Sequence, residues 1–224
     1  MSVLSPTPRT TIRRSAERAA TDRAELYDVL DHALICHLGI VVDGDPLVLP
    51  TVFTTDPDGP DRDGTLYLHG SVAARSLGAG RRAQVCVTVT HLDGLVLARS
   101  AFHHSMNYRS AVIRGQARLV DDPDERRRAL DLIVDHVVPG RAATLRTSTR
   151  KELAATAVLA VSLHEASVKR RAGPPVDDDV DVSRGDWAGV VPLSTRAGEI
   201  ETAPDAAGHA VPAEVVRRAA ALHD

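Results

Sequence analysis

Short runs of alternating apolar and polar positions recur along the chain, separated by turn residues. ALICHLGIVV (33–42) reads as a strand closed by the turn Asp43-Gly44-Asp45-Pro46, with LVLPTVFTT (47–55) as its hairpin partner. After a Pro-, Asp- and Gly-rich loop over 56–64 comes a short strand, TLYLHG (65–70). AQVCVTVTHL (83–92), a turn at Asp93-Gly94 and LVLARSAF (95–102) form a second hairpin, and SAVIRGQARLV (110–120) a further strand. AVLAVSLHEASVK (157–169) is the last. The spacing shifts to that of helices over 15–31, over 121–138 behind Pro123, and in a short segment near Glu214 to Leu222. SVAARSLGAG (71–80) reads as a brief helix with Ser71 at its N-cap. About six antiparallel strands with two or three helices predict a mainly β, α+β fold: a small closed barrel with helices packed outside.

Composition narrows the function classes. The 224 residues hold one sizeable domain, divided here into an N-terminal arm (1–14), a barrel domain (15–193) and a C-terminal extension (194–224). The formal charge of −3 and aromatic content of 3% argue against a nucleic-acid partner, which needs a basic face or a stacking platform. No apolar run approaches the ~20 residues of a membrane helix. Cys36 and Cys86 each lie in an apolar run, neither a disulfide framework nor a zinc set, which points to a reducing, cytoplasmic setting.

Two clusters carry candidate chemistry. In YLHGSVAARS a strand ends at His69-Gly70 and a helix begins at Ser71; unpaired N–H groups and a positive helix end favour phosphate, with Arg75 four residues on. The same residues also make an ordinary Ser-capped helix with solvated arginines. In ARSAFHHSMNYRS (98–110), Arg99, His103, His104, Ser105, Asn107, Tyr108 and Arg109 crowd a short connection, as a polar loop or as a binding site. No metal site is expected, because His103 and His104 are adjacent and no acid or thiol stands at ligand spacing.

At these clusters the sequence resembles the FMN-binding members of the pyridoxamine 5'-phosphate oxidase-like superfamily, especially the branch with the nitroimidazole-resistance reductases. The likeness is carried by Ala33 to Gly39, LVLPTVF, LYLHGSVAARS, VCVTVTHLDGLVLARSAFHHSMNYRSAVIRGQA and the late SVKRRAGPPVDD and WAGVVPL. The resemblance implies a six-stranded antiparallel Greek-key split barrel that forms a homodimer with FMN at the subunit interface. It implies that His69, Gly70, Ser71 and Arg75 hold the phosphate, and that Pro50, Thr51 and Val52 face the isoalloxazine. Arg99, Ser100, Asn107, Arg109 and Trp187 would complete the pocket. The implied activity is an FMN-dependent oxidoreductase, reduced by NAD(P)H and passing electrons to a small acceptor, nitro-aromatic or quinone-like. The alternatives are a non-catalytic flavin carrier or sensor, and a haem- or deazaflavin-binding barrel. The vitamin-forming oxidases have an Arg-Lys pair where Ala74 precedes Arg75 here, which argues against pyridoxamine phosphate as substrate.

Overall fold

The computed structural model describes residues 3–4, 7–72 and 83–222; Arg75 and the helix expected over 71–80 lie outside the described residues, apart from Ser71 and Val72. Ten strands are described: β1 (Cys36–Val42), β2 (Asp45–Thr51), β3 (Phe53–Asp56), β4 (Thr65–Ser71), β5 (Gln84–Leu97), β6 (Ser105–Gln116), β7 (Arg118–Leu119), β8 (Thr156–Ser162), β9 (Ala166–Arg171) and β10 (Gly189–Pro192). The described helices are α1 (Arg23–Asp31), α2 (Pro123–Val137), α3 (Arg150–Ala155), α4 (Asp179–Val182) and α5 (Ala213–Ala221), with short 3-10 turns between. None of them is long and apolar enough to cross a membrane.

The strands make two sheets. One runs β2-β1-β5-β6-β9, with β10 paired to β5; the other runs β3-β4-β8-β7. Every pairing is antiparallel, so the fold is the expected antiparallel split barrel with flanking helices, built from ten strands rather than six. The extra strands come from runs that change sheets. LVLPTVFTT is cut at Val52, where the chain leaves β2 and enters β3 of the other sheet. AVLAVSLHEASVK is cut at Leu163–Glu165, where the Leu163 N–H donates to the Gly64 carbonyl at 2.9 Å and the chain crosses back.

A turn at Asp93-Gly94 does not form. β5 runs straight through to Leu97, with a register shift between Leu92 and Gly94. A glycine suits this irregularity because β10 lies against it: a Cβ on Gly94 would meet Val190 Cγ1 and the Val191 carbonyl, each at 3.1 Å. The hairpin turn falls at Ala98–His104 instead, bringing that polar connection to the sheet's end. The helix expected over 15–31 is confined to α1, because Ala20 donates to the Val168 carbonyl at 3.0 Å beside β9, and Asp22 caps Ala24 at 2.9 Å.

Between the sheets lies the main core. Phe53, Leu66, Leu68, Leu159 and Val161 of one sheet meet Leu38, Ile40, Val87, Val89 and Ile113 of the other, joined by Leu26 and Leu30 of α1. On the outside of the four-stranded sheet, α2 covers Tyr67, Val158 and Ala160 through Ala129. Both faces of β4 are therefore covered, which is why its apolar run is nearly continuous rather than alternating. The outward face of the larger sheet differs. Register aligns Val48, Gly39, Cys86 and Arg114 in one row and Pro50, His37, Thr88, Val112 and Ser167 in the next. On this face Val41 is 57% and Val48 63% exposed.

Candidate functional site

The candidate residues fall into two groups. The first gathers where the chain changes sheets. Phe53 pairs with Leu68, so Val52 and His69 stand at the same end of the β3–β4 ladder, with Pro50 and Thr51 closing β2. Ser71 ends β4 opposite Thr156, and the Val72 N–H donates to the Ala155 carbonyl at 3.1 Å. His69 Nδ1 is buried and has no hydrogen-bond partner among the described residues. Such an orphan is costly, about 1–3 kcal/mol, unless a bound group satisfies it. Burial also holds the His69 imidazole below its ordinary pKa, so the neutral ring is favoured there.

The second group surrounds an open cleft of about 1340 Å³ between the N-terminal arm, the Ala98–His104 turn and the end of β9. Its lining includes six bases, Arg14, Arg18, Arg109, Lys169, Arg170 and Arg171, against three acids, Glu17, Asp93 and Asp178. A chain of net charge −3 thus concentrates positive charge at one concavity, which attracts anions. Phe102, at the lip, is 90% exposed, with its ring edge-on to His103.

Of the candidate side chains, Asn107 and Arg109 line the cleft, whereas Arg99, Ser100 and Trp187 do not. The Arg99 backbone N–H and guanidinium both donate to Asp177 at 2.9 Å, and Arg99 Nε donates to the Asp186 carbonyl at 2.8 Å, pinning the segment after β9. Asn107 is buried; its Nδ2 donates to the Gly173 carbonyl and its Oδ1 accepts from Arg171 Nη1. Arg109 places Nε and Nη2 on Asp93 at 3.1 and 3.0 Å, while its Nη1 lies 3.7 Å from Asp28. Burial works against the Arg109 charge, but the Asp93 hydrogen bond outweighs it and raises the pKa. Trp187, 70% exposed, lies against Gly189 at the start of β10.

Ser100 orients two histidines. Its carbonyl accepts a hydrogen bond from the His104 Nδ1–H at 2.8 Å, so the His104 Nε2 lone pair is left available. Its hydroxyl bonds His103 Nδ1 at 2.9 Å. The basic run Lys169-Arg170-Arg171 and the arm's Arg14 and Arg18 are cleft residues that sequence reasoning did not single out. The run KRR at a strand end was the available signal, but only the fold shows that it faces the arm.

Similarity to known proteins follows this geometry. No curated protein matches the chain. Among solved structures, the flavocytochrome Anf3 of Azotobacter vinelandii is 36% identical with a TM-score of 0.87, over 95% of this chain and 97% of that one. The FAD and heme binding protein of Mycobacterium smegmatis is 41% identical, TM-score 0.82, over 90% and 97%. A putative 5-nitroimidazole antibiotic resistance protein of Bacteroides thetaiotaomicron is 25% identical, TM-score 0.55, over 67% and 85%. The family model for pyridoxamine 5'-phosphate oxidase matches residues 22–170, from the first turn of α1 to the end of β9. The chain therefore belongs to the pyridoxamine 5'-phosphate oxidase-like family of split barrels.

Proposed function

We propose that the protein is a flavin-dependent redox protein whose flavin lies along the cationic cleft. The observation that carries this reading is the pairing of six bases with an exposed Phe102 around one cleft, a combination suited to an aromatic ligand bearing phosphate. Relatives at 36% and 41% identity whose names include a flavin support it. The cleft exceeds the ~300–1,000 Å³ of most small-ligand sites, so it favours FAD over the smaller FMN. The orphaned His69 Nδ1 fits a ligand that brings a hydrogen-bonding group to the Val52–His69 corner.

Bound flavin would supply hydride and electron chemistry there. The chain's own part is binding and orientation. Arg109 Nη1 and the bases of β9 neutralise phosphate, Phe102 offers a stacking face, and Arg99 and Asn107 fix the walls. His69, neutral and shielded, positions the ligand without adding charge. NAD(P)H as donor and a small nitro-aromatic or quinone-like compound as acceptor complete the reading, in a cytoplasmic setting. Rapid reduction of the bound flavin by NADH or NADPH, and reoxidation by an added quinone, is expected; a flavin that neither nucleotide reduces would leave a carrier or sensor.

The homodimer belongs to the same proposal. The outward face of the larger sheet offers Val41 and Val48 as exposed apolar side chains near its β1–β2 edge, the kind that a second copy buries. Val48→Asp is expected to convert a dimer to a monomer by light scattering and to lower flavin content with it. A dimeric variant would place the interface elsewhere.

A second reading adds haem, because the relatives at 36% and 41% identity are named a flavocytochrome and a FAD and heme binding protein. His104 lines the cleft with Nε2 free of hydrogen, as an axial ligand requires. A Soret band on haem addition, lost in His104→Ala, is the expected sign.

The orphaned imidazole gives a separable test. His69→Leu is expected to leave the stability of the flavin-free protein unchanged or raise it by about 1 kcal/mol, since it removes an unsatisfied group. Flavin affinity should fall severalfold. A loss of stability with flavin affinity intact would mean that the ring is ordinary packing. The sign for pH follows from the lowered His69 pKa: ring titration costs no stability at neutral pH, and stability falls as pH drops below the ordinary value near 6.5, where the unfolded chain takes up a proton that the buried ring resists.

A further inference from the structure

We propose that His103, Asp178 and Asp181 form a divalent-cation site, with Zn²⁺ or Mn²⁺ as the fitting class of ion. One ligand atom from each of the three lies within 4.8 Å of the others. A tetrahedral shell with bonds of about 2.0–2.2 Å separates its ligands by roughly 3.3–3.6 Å, so modest side-chain rotations close the site.

Charge pairing distinguishes these carboxylates from ordinary surface acids. Arg99 is committed to Asp177, Arg184 to Asp186, and Arg171 to Asn107 and to the carbonyls of Gly173 and Pro174. Asp178 and Asp181 have no hydrogen-bond or ion-pair partner for their side chains among the described residues, although the neighbouring cleft is rich in bases. Two like charges are thus left facing one imidazole. That imidazole is held from behind: the Ser100 hydroxyl bonds Nδ1 at 2.9 Å, the kind of outer-shell contact that fixes a ligating ring and leaves Nε2 as the nitrogen to offer an ion. The sequence hides the site because His103 lies in the turn after β5, whereas both carboxylates come from α4 and its N-cap. A bound ion would tie the segment after β9 to the Ala98–His104 turn at the mouth of the cleft.

The test is calorimetric titration of Zn²⁺ into full-length protein stripped with EDTA, with flavin content recorded by absorbance. One Zn²⁺ per chain is expected, with a rise in melting temperature. Asp181→Asn should weaken binding by more than tenfold and abolish that rise, Ser100→Ala should weaken it by about tenfold, and Asp186→Asn should bind like the parent. Absence of saturable binding by the parent, or an Asp181→Asn variant that binds as tightly, would overturn the proposal. Neither outcome bears on the flavin, whose presence is read separately from its own absorption.

Discussion

Replacing Arg118 with methionine is expected to destabilise the protein by about 2–4 kcal/mol, measured by denaturant unfolding. Arg118 forks onto two carboxylates at once. Its Nη2 lies 2.7 Å from Asp61 Oδ2 and 2.5 Å from Glu125 Oε1, its Nε donates to Asp61 Oδ1 at 3.1 Å, and its Nη1 to Glu125 Oε2 at 3.0 Å. The Tyr67 hydroxyl donates to the same Glu125 Oε1 at 2.9 Å, and the Thr65 hydroxyl to Asp61 Oδ2 at 2.9 Å. This network joins the loop before β4, the strands β4 and β7, and the first turn of α2. With Arg118 gone, two half-buried carboxylates face each other with only hydroxyl partners. Removing one member of a fully buried pair costs about 3–5 kcal/mol; the Arg118 side chain is 35% exposed, which lowers the figure.

The network also sets an acid response. Burial tends to raise the Asp61 pKa, but hydrogen bonds from Arg118 and Thr65 and the Arg118 charge outweigh it and hold the carboxyl low. At Asp56 the bidentate hydrogen bonds of Arg128, on α2, are the main cause of a similar lowering. Carboxyls with depressed folded pKa values stabilise fully above the unfolded value of about 3.9 and lose that contribution as pH falls through the folded value. The parent should therefore lose stability steeply below about pH 4. Arg118→Met should flatten that loss, because the Arg118 hydrogen bonds and charge no longer hold the Asp61 carboxyl below its unfolded value.

Arg109→Ala is expected to weaken flavin binding about 10- to 100-fold, read by titrating flavin into stripped protein and following absorbance. A hydrogen bond to a charged group contributes about 1.5–3 kcal/mol, which corresponds to that range. Arg109 is well placed for this because Asp93 fixes its Nε and Nη2, leaving Nη1 to the cleft at the loose 3.7 Å contact with Asp28. The variant should keep its far-UV spectrum, and Arg109→Lys should recover only part of the affinity, since an ammonium lacks the fork. Unchanged affinity in Arg109→Ala would place the phosphate elsewhere.

Alternation and turn residues made most of the barrel legible: β1, β4 and α2 stand close to where the pattern places them. Sheet identity was not legible. The break at Val52 separates a β2 that is largely exposed from a β3 that is largely buried, and the break at Leu163–Glu165 separates two buried strands; in neither run does the local pattern say which sheet each half pairs with. Asp93-Gly94 misleads for a related reason. An Asp-Gly pair signals a hairpin turn locally, but here Asp93 is held by Arg109 and Gly94 makes room for β10, both distant in sequence. The candidate site was half legible. Crowded polar residues at 98–110 read as a polar loop or a binding site, and the fold sets several of them on the cleft, whereas Arg14, Arg18 and Lys169 to Arg171 join it only when the arm lies along β9.

The most direct test is the absorption spectrum of the purified protein, with mass analysis of the nucleotide released on denaturation. A flavin spectrum and a released mass of FAD are predicted. FMN would keep the flavin reading and correct the inference from cleft size. A colourless protein that binds neither added FAD nor added FMN would contradict the account.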